Sequence, residues 1–110
     1  MEIIIKHSGD ISIAHFKGNL DTNTAPMAEE ELKPIIGESG AKLIINLAET
    51  NYVSSAGLRI FLASAKKISA NAGVFKLCAP NEVVKEILDI SGFSTILDVR
   101  DSEEDAIANM

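Results

Sequence analysis

Two adjacent hydroxyls, Ser54 and Ser55, stand immediately before Ala56-Gly57-Leu58, where an apolar segment gives way to a helical repeat. A serine in that setting can attack a carbonyl, accept a phosphoryl group, or cap the helix by accepting a backbone N–H. Nucleophilic catalysis from a strand-to-helix turn needs Gly-x-Ser-x-Gly and a histidine further along the chain. With Ser55 as nucleophile, Val53 fills the first glycine position, and both histidines, His7 and His15, come before it. Neither a Gly-Lys-Ser/Thr phosphate loop nor a Gly-x-Gly-x-x-Gly dinucleotide loop is present. The lone cysteine, Cys78, and the two histidines form no set at zinc-ligand spacing, so Cys78 reads as a small core residue. These residues predict a chain that is not an enzyme and carries no metal or cofactor. Capping and phosphoryl acceptance both remain open for the serine pair.

The two open roles differ in what they would do to a partner. A cap is worth about 1 kcal/mol to the helix and nothing to an interface. A phosphate at a helix N-terminus meets unpaired backbone N–H groups and the positive end of the dipole, so the fold can tolerate it. It adds roughly −1.5 to −2 charges, and a partner covering the serine would have to bury them. A loss of ~3 kcal/mol there weakens binding more than a hundredfold.

The elements that must hold this serine pair follow from the patterning. Ile3 to His7 and Ile11 to Lys17 read as strands joined by the turn-forming Ser8-Gly9-Asp10. Alternation in the second strand puts Ile11, Ile13 and His15 on one face and Ser12, Ala14 and Phe16 on the other, with both histidines near water. Thr24 can cap a helix with Pro26 in its first turn and Ala28, Leu32, Ile35 and Ile36 as its stripe, which Pro34 would end or kink. Lys42 to Leu47 contains the apolar run Leu43-Ile44-Ile45, the mark of a central strand covered on both faces. From Ala56 onward, Leu58, Phe61, Leu62, Ala65 and Ile68 recur at helical spacing. Leu43, Ile45, Leu58, Phe61 and Leu62 are therefore the expected core.

Beyond that helix, Gly73 closes the connection to a strand at Val74 to Cys78, and Asn81 caps a helix carrying Val84, Ile87 and Leu88. A left-handed Gly92 would bring Phe93 within reach of Leu88. A last strand at Ile96 to Val99 leads to a short helix opened by Ser102, with Glu103, Glu104 and Asp105 at the positive end of its dipole. The order β-β-α-β-α-β-α-β-α predicts one α/β domain spanning residues 1–110, with a mostly parallel mixed sheet, an N-terminal hairpin and about four helices.

Composition bounds the partners. Ten basic against sixteen acidic side chains give a net charge of −6, which disfavours direct contact with nucleic acid or an anionic membrane surface and favours a protein partner. The apolar run at Met1 to His7 is too short for a signal peptide, and no stretch approaches the roughly 20 apolar residues of a membrane span. A cytoplasmic protein is expected.

The stretch from Asn46 to Arg59, with Ser54-Ser55-Ala56-Gly57-Leu58 at its end, resembles the signature of the STAS family, especially its anti-sigma factor antagonists. There, a serine followed by a small residue and Gly-Leu opens the second helix. Gly18-Asn19-Leu20-Asp21 is similar to the Gly-x-Leu-Asp at the end of that family's early strand, and the order of elements agrees along nearly the whole chain. Many relatives have aspartate at the positions of Ser54 and Asn46. The resemblance implies that Ser55 is the phosphorylated residue, with Ser54 as the alternative, and that Asp21 is the acidic residue near it, unless Asp21 is only an exposed turn acid. It further implies partner contacts through Asp21, Ser54, Ser55, Ala56, Gly57 and Arg59. The partners implied are an anti-sigma factor with serine-kinase activity, of the histidine-kinase-like ATPase fold, and a PP2C-type phosphatase. The unphosphorylated form would hold the anti-sigma factor and the phosphorylated form release it, in partner switching that regulates transcription or a similar signalling output. The family also permits a non-switching scaffold or a sensory module of a larger signalling or transporter assembly.

Overall fold

Alternation along one long strand decides the layering. In the computed structural model, which describes Met1–Met110, β1 (Glu2–Ser8) and β2 (Ile11–Leu20) form an antiparallel hairpin pairing Glu2 with Lys17 through to Ser8 with Ile11. Ala14, Phe16 and Leu20 of β2 enter the main core, whereas Ile11 and Ile13 face the other side of the sheet. The next elements are α1 (Ala25–Ile36), β3 (Lys42–Asn46), β4 (Thr50–Val53) and α2 (Ser55–Ala70). They are followed by β5 (Val74–Cys78), α3 (Glu82–Ile90), α4 (Phe93–Ile96), β6 (Val99–Arg100) and α5 (Glu103–Ala108).

The sheet order is β1-β2-β3-β5-β6, with β4 taking the place of β3 beside the C-terminal end of β2. Every pairing except that of β1 with β2 is parallel. The continuous apolar run Leu43-Ile44-Ile45 is fully buried because β3 is central: Leu43 and Ile45 join the main core, and Ile44 joins Ile11, Ile13, Cys78 and Ala106 on the α5 side. The main core lies between the sheet and α1, α2 and α3, where Phe16 and Phe61 meet as tilted rings 6.4 Å apart. Burial at 0% exposure pushes the Cys78 thiol up to about 12, with the nearby Glu103 carboxylate adding to the effect.

The chain departs from the sequence expectations at identifiable places. Thr24 does not cap α1 with its side chain; its hydroxyl donates to Asn19 O at 2.8 Å and accepts from Asp21 N at 2.9 Å. Pro34 leaves α1 intact for two more residues, since its ring falls where the helix is about to end. Leu62 is only half-buried and lies outside the core, while Ile60 is buried in it. The expected strand at Ile96 to Val99 is displaced: Phe93–Ile96 is a helical turn, and the strand is Val99–Arg100. With that turn the fold has five helices. Gly92 does adopt the left-handed backbone, at φ 81°, and Phe93 packs onto the core that contains Leu88.

The short β6 is held by charge as well as by backbone. Lys76, 6% exposed on β5, pairs with Asp98, which also accepts from Arg100 Nε at 2.8 Å. The Arg100 hydrogen bond, helped by Lys76, holds the Asp98 carboxyl below its ordinary value.

Because Phe61 is fully buried against Phe16 in the main core, Phe61→Ala should cost about 3–5 kcal/mol of stability. Urea unfolding measures this directly; a midpoint equal to that of the parent would remove Phe61 from the core.

Candidate functional site

Two turns meet where β2 and β4 end. The backbone N–H of Ser54 donates to Leu20 O at 2.8 Å, which ties the start of α2 to the end of β2. Asp21 follows Leu20 directly, and its Oδ1 accepts from the N–H groups of Asn23 at 2.9 Å and Thr24 at 3.1 Å. The carboxylate thereby shapes the turn into α1 while remaining partly exposed. The site thus brings Asp21 into the same loop cluster as Ser54 and Ser55, as the sequence suggested.

The two serines have different surroundings. Ser54 is the N-cap of α2: it is half-buried with extended backbone, and its Oγ accepts a long hydrogen bond of 3.4 Å from Gly57 N. Ser55 is the first residue of the helix, exposed, and its hydroxyl makes no hydrogen bond within the chain. Ser54 therefore does the structural work of capping, and Ser55 presents a free hydroxyl beside the unpaired N–H groups of a helix of 16 residues.

The glycines of the two motifs have steric reasons. A Cβ on Gly57 would lie 2.8 Å from Leu20 Cγ and 2.9 Å from Val53 Cγ1, so only glycine lets the first turn of α2 sit on the end of β2. Gly18 has φ +107°, at the irregularity where β2 exchanges its partner β3 for β4. Its N–H donates to Glu49 O at 3.0 Å, across to the loop that feeds β4. That loop is built by Asn46, whose Oδ1 accepts from Ala48 N at 2.9 Å, and by the buried Thr50, whose hydroxyl donates to Phe16 O at 2.8 Å. Asn81 completes the frame: its side-chain N–H donates to Thr50 O at 2.7 Å while its Oδ1 caps α3 through Val84 N.

Beside Ser55, a groove of about 450 Å³ runs between α1 and α2. Ala25, Ala56 and Ile60 are among its apolar lining, with Glu29, Lys33, Arg59 and Lys67 as charged groups. Arg59 is exposed and enters no ion pair. Ala56 is half-buried and Gly57 buried, so of the six expected contact residues Gly57 acts through position and the other five offer surface. A protein surface can read this arrangement, which combines a free hydroxyl, a carboxylate, an unpaired guanidinium and a shallow apolar groove.

The STAS domain model matches residues 2–106. The chain belongs to the STAS family. A STAS relative, the candidate anti-sigma factor antagonist BtrV of Bordetella bronchiseptica, is 32% identical over 98% of this chain and 93% of its own length. The anti-sigma-B factor antagonist of Bacillus subtilis is 30% identical over 93% of this chain and 92% of that protein. Among solved STAS structures, the anti-sigma factor antagonist SpoIIAA in its unphosphorylated form superposes with a TM-score of 0.81, at 21% identity, over 98% of this chain and 95% of that one. SpoIIAA in its phosphorylated form gives 0.73 at 20% identity, covering 98% of each chain. These last likenesses speak to the fold.

In this STAS domain the sequence singled out the serine pair, Asp21 and Arg59 but gave no part in this site to Leu20, Thr50 or Asn81, which hold the surrounding turns. Asn81 was visible only as a cap, and its second bond depends on a strand the sequence did not reveal. The Gly-x-Leu-Asp match did contain Leu20, and the small residue at Gly57 was the signal that something large packs against it. Gly57→Ala should lower stability by about 1–2 kcal/mol, because overpacking against Leu20 and Val53 outweighs the better helix propensity of alanine. A urea midpoint at or above that of the parent would mean that the contact relaxes without strain.

Proposed function

We propose that this STAS domain is an anti-sigma factor antagonist that works as a partner switch on Ser55. Unphosphorylated, it binds an anti-sigma factor that is also a serine kinase of the histidine-kinase-like ATPase fold. Phosphorylated on Ser55, it lets that partner go, and a PP2C-type phosphatase restores the binding form. The chain acts in the cytoplasm and contributes no catalytic group; nucleotide and metal belong to the partners.

The observation that carries the reading is the division of labour between the serines: Ser54 caps α2 and Ser55 stands exposed with an unbonded hydroxyl. A kinase needs an accessible hydroxyl, and Ser55 supplies one that the fold does not use. The names of the relatives support the same role, as does the existence of phosphorylated and unphosphorylated forms of SpoIIAA on this fold. Ala56 and Arg59 lie on the same helix as the acceptor and Asp21 on the turn tied to it through Leu20, and all three belong to the proposed partner surface. Phosphate at Ser55 would place roughly −1.5 to −2 charges at the centre of that surface, where desolvation makes an uncompensated charge costly.

With its cognate kinase and ATP, the protein should gain one phosphate, located at Ser55 by fragment mass spectrometry. Modification of Ser54 would move the switch by one residue, and modification of neither would end the partner-switch reading.

Ser55→Ala leaves the cap on Ser54, so its stability should stay within about 0.5 kcal/mol of the parent. In calorimetric titration with the anti-sigma partner, Ser55→Ala should bind persistently and Ser55→Asp about tenfold or more weakly, a difference of at least about 1.4 kcal/mol. Equal affinities in two proteins with matching circular dichroism would favour a non-switching scaffold.

A further inference from the structure

We propose that Arg59 is the receptor, within this same chain, for the phosphate carried by Ser55. The inference rests on the reading of Ser55 as the phosphoacceptor and assigns the residue that answers its charge. Ser55 and Arg59 are four positions apart on α2 and both are exposed. Residues at that spacing are neighbours on a helix surface, with Cβ atoms about 5–6 Å apart, and an anion placed N-terminal to its cation is the favoured order. Helical side chains lean back toward the N-terminus, so the Arg59 side chain can reach the turn that bears Ser55. Its guanidinium fork can donate two parallel hydrogen bonds to phosphate oxygens, and it makes no ion pair that would have to be broken first.

The other charges around the site leave this role to Arg59. Asp21, on the connection from β2 to α1, is negative and would repel the phosphate. On the α1 wall of the groove, Glu29 is also acidic, and Lys33 is held by Glu30 at 2.9 Å. Lys66 and Lys67 lie about two turns beyond Arg59 along α2, on the order of 16–18 Å of axial rise from Ser55. In the unmodified domain, Arg59 lines the groove together with Ala56 and Ile60, where it can meet an acidic group of a partner. Phosphorylation then acts twice on the interface: it adds a charge at Ser55 and draws the guanidinium away from the groove.

Phosphoserine encoded at position 55 during translation gives the modified protein without any kinase. Titration of its phosphorus NMR signal should show the second phosphate ionisation about half a pH unit lower in the protein that keeps Arg59 than in Arg59→Gln. Arg59→Lys should fall between them, and the difference should shrink in 1 M salt, where the Debye length is about 3 Å. Equal midpoints with Arg59 in place and in Arg59→Gln, with circular dichroism unchanged, would overturn the proposal. Failure of a cognate kinase to modify Ser55 would overturn the phosphoacceptor reading, and it is a separate result from this titration.

Discussion

The close approach of α2 to the end of β2 sets the geometry of everything around Ser55. Leu20 is fully buried and occupies the space a side chain at Gly57 would need, while its carbonyl receives the N–H of Ser54. One residue thus fixes the helix twice, through a steric fit and a hydrogen bond. The direction of the first turn of α2 follows, and with it the exposure of Ser55. Asp21 is brought to the same place because it is the next residue in the chain after Leu20.

That approach is possible only because β2 outlasts its neighbour. β3 stops at Asn46, and β4 takes up pairing with β2 across the irregularity at Gly18 and Asn19. The polar side chains Asn46, Thr50 and Asn81 fill the gap left by the change of partner, and each finds a hydrogen-bond partner in the backbone. Buried polar groups of this kind are costly unless satisfied, and satisfied they specify a single arrangement.

Most of the framework could be read from apolar periodicity. Leu43-Ile44-Ile45 announced a doubly covered strand, and the repeat from Leu58 to Ile68 announced α2, because burial there follows local spacing. β4 could not be read in the same way: only Thr50 and Val53 of its four residues are buried, so it shows neither alternation nor a continuous run. The C-terminal strand was misplaced because Ile96 looks like a strand residue, yet the left-handed Gly92 starts a helical turn that leaves Ile96 mostly exposed at 63%. Leu62 fits the spacing of the stripe but falls at its edge, and Ile60 is buried in the core. At the site, Ser55 was legible from its motif. The capping role of Ser54, and hence the freedom of Ser55, depended on a hydrogen bond that spacing alone assigns to either serine.

The burial of Cys78 has a consequence for the conditions under which such a domain can operate. The thiolate is the form that oxidants and disulfides attack. With its thiol pushed up to about 12 by burial and its side chain inaccessible between the sheet and α5, Cys78 stays protonated at neutral pH. The folded domain therefore offers no thiol with which glutathione or a neighbouring cysteine could exchange. While the fold is intact, the thiol–disulfide poise of the surroundings has no exposed sulfhydryl to act on.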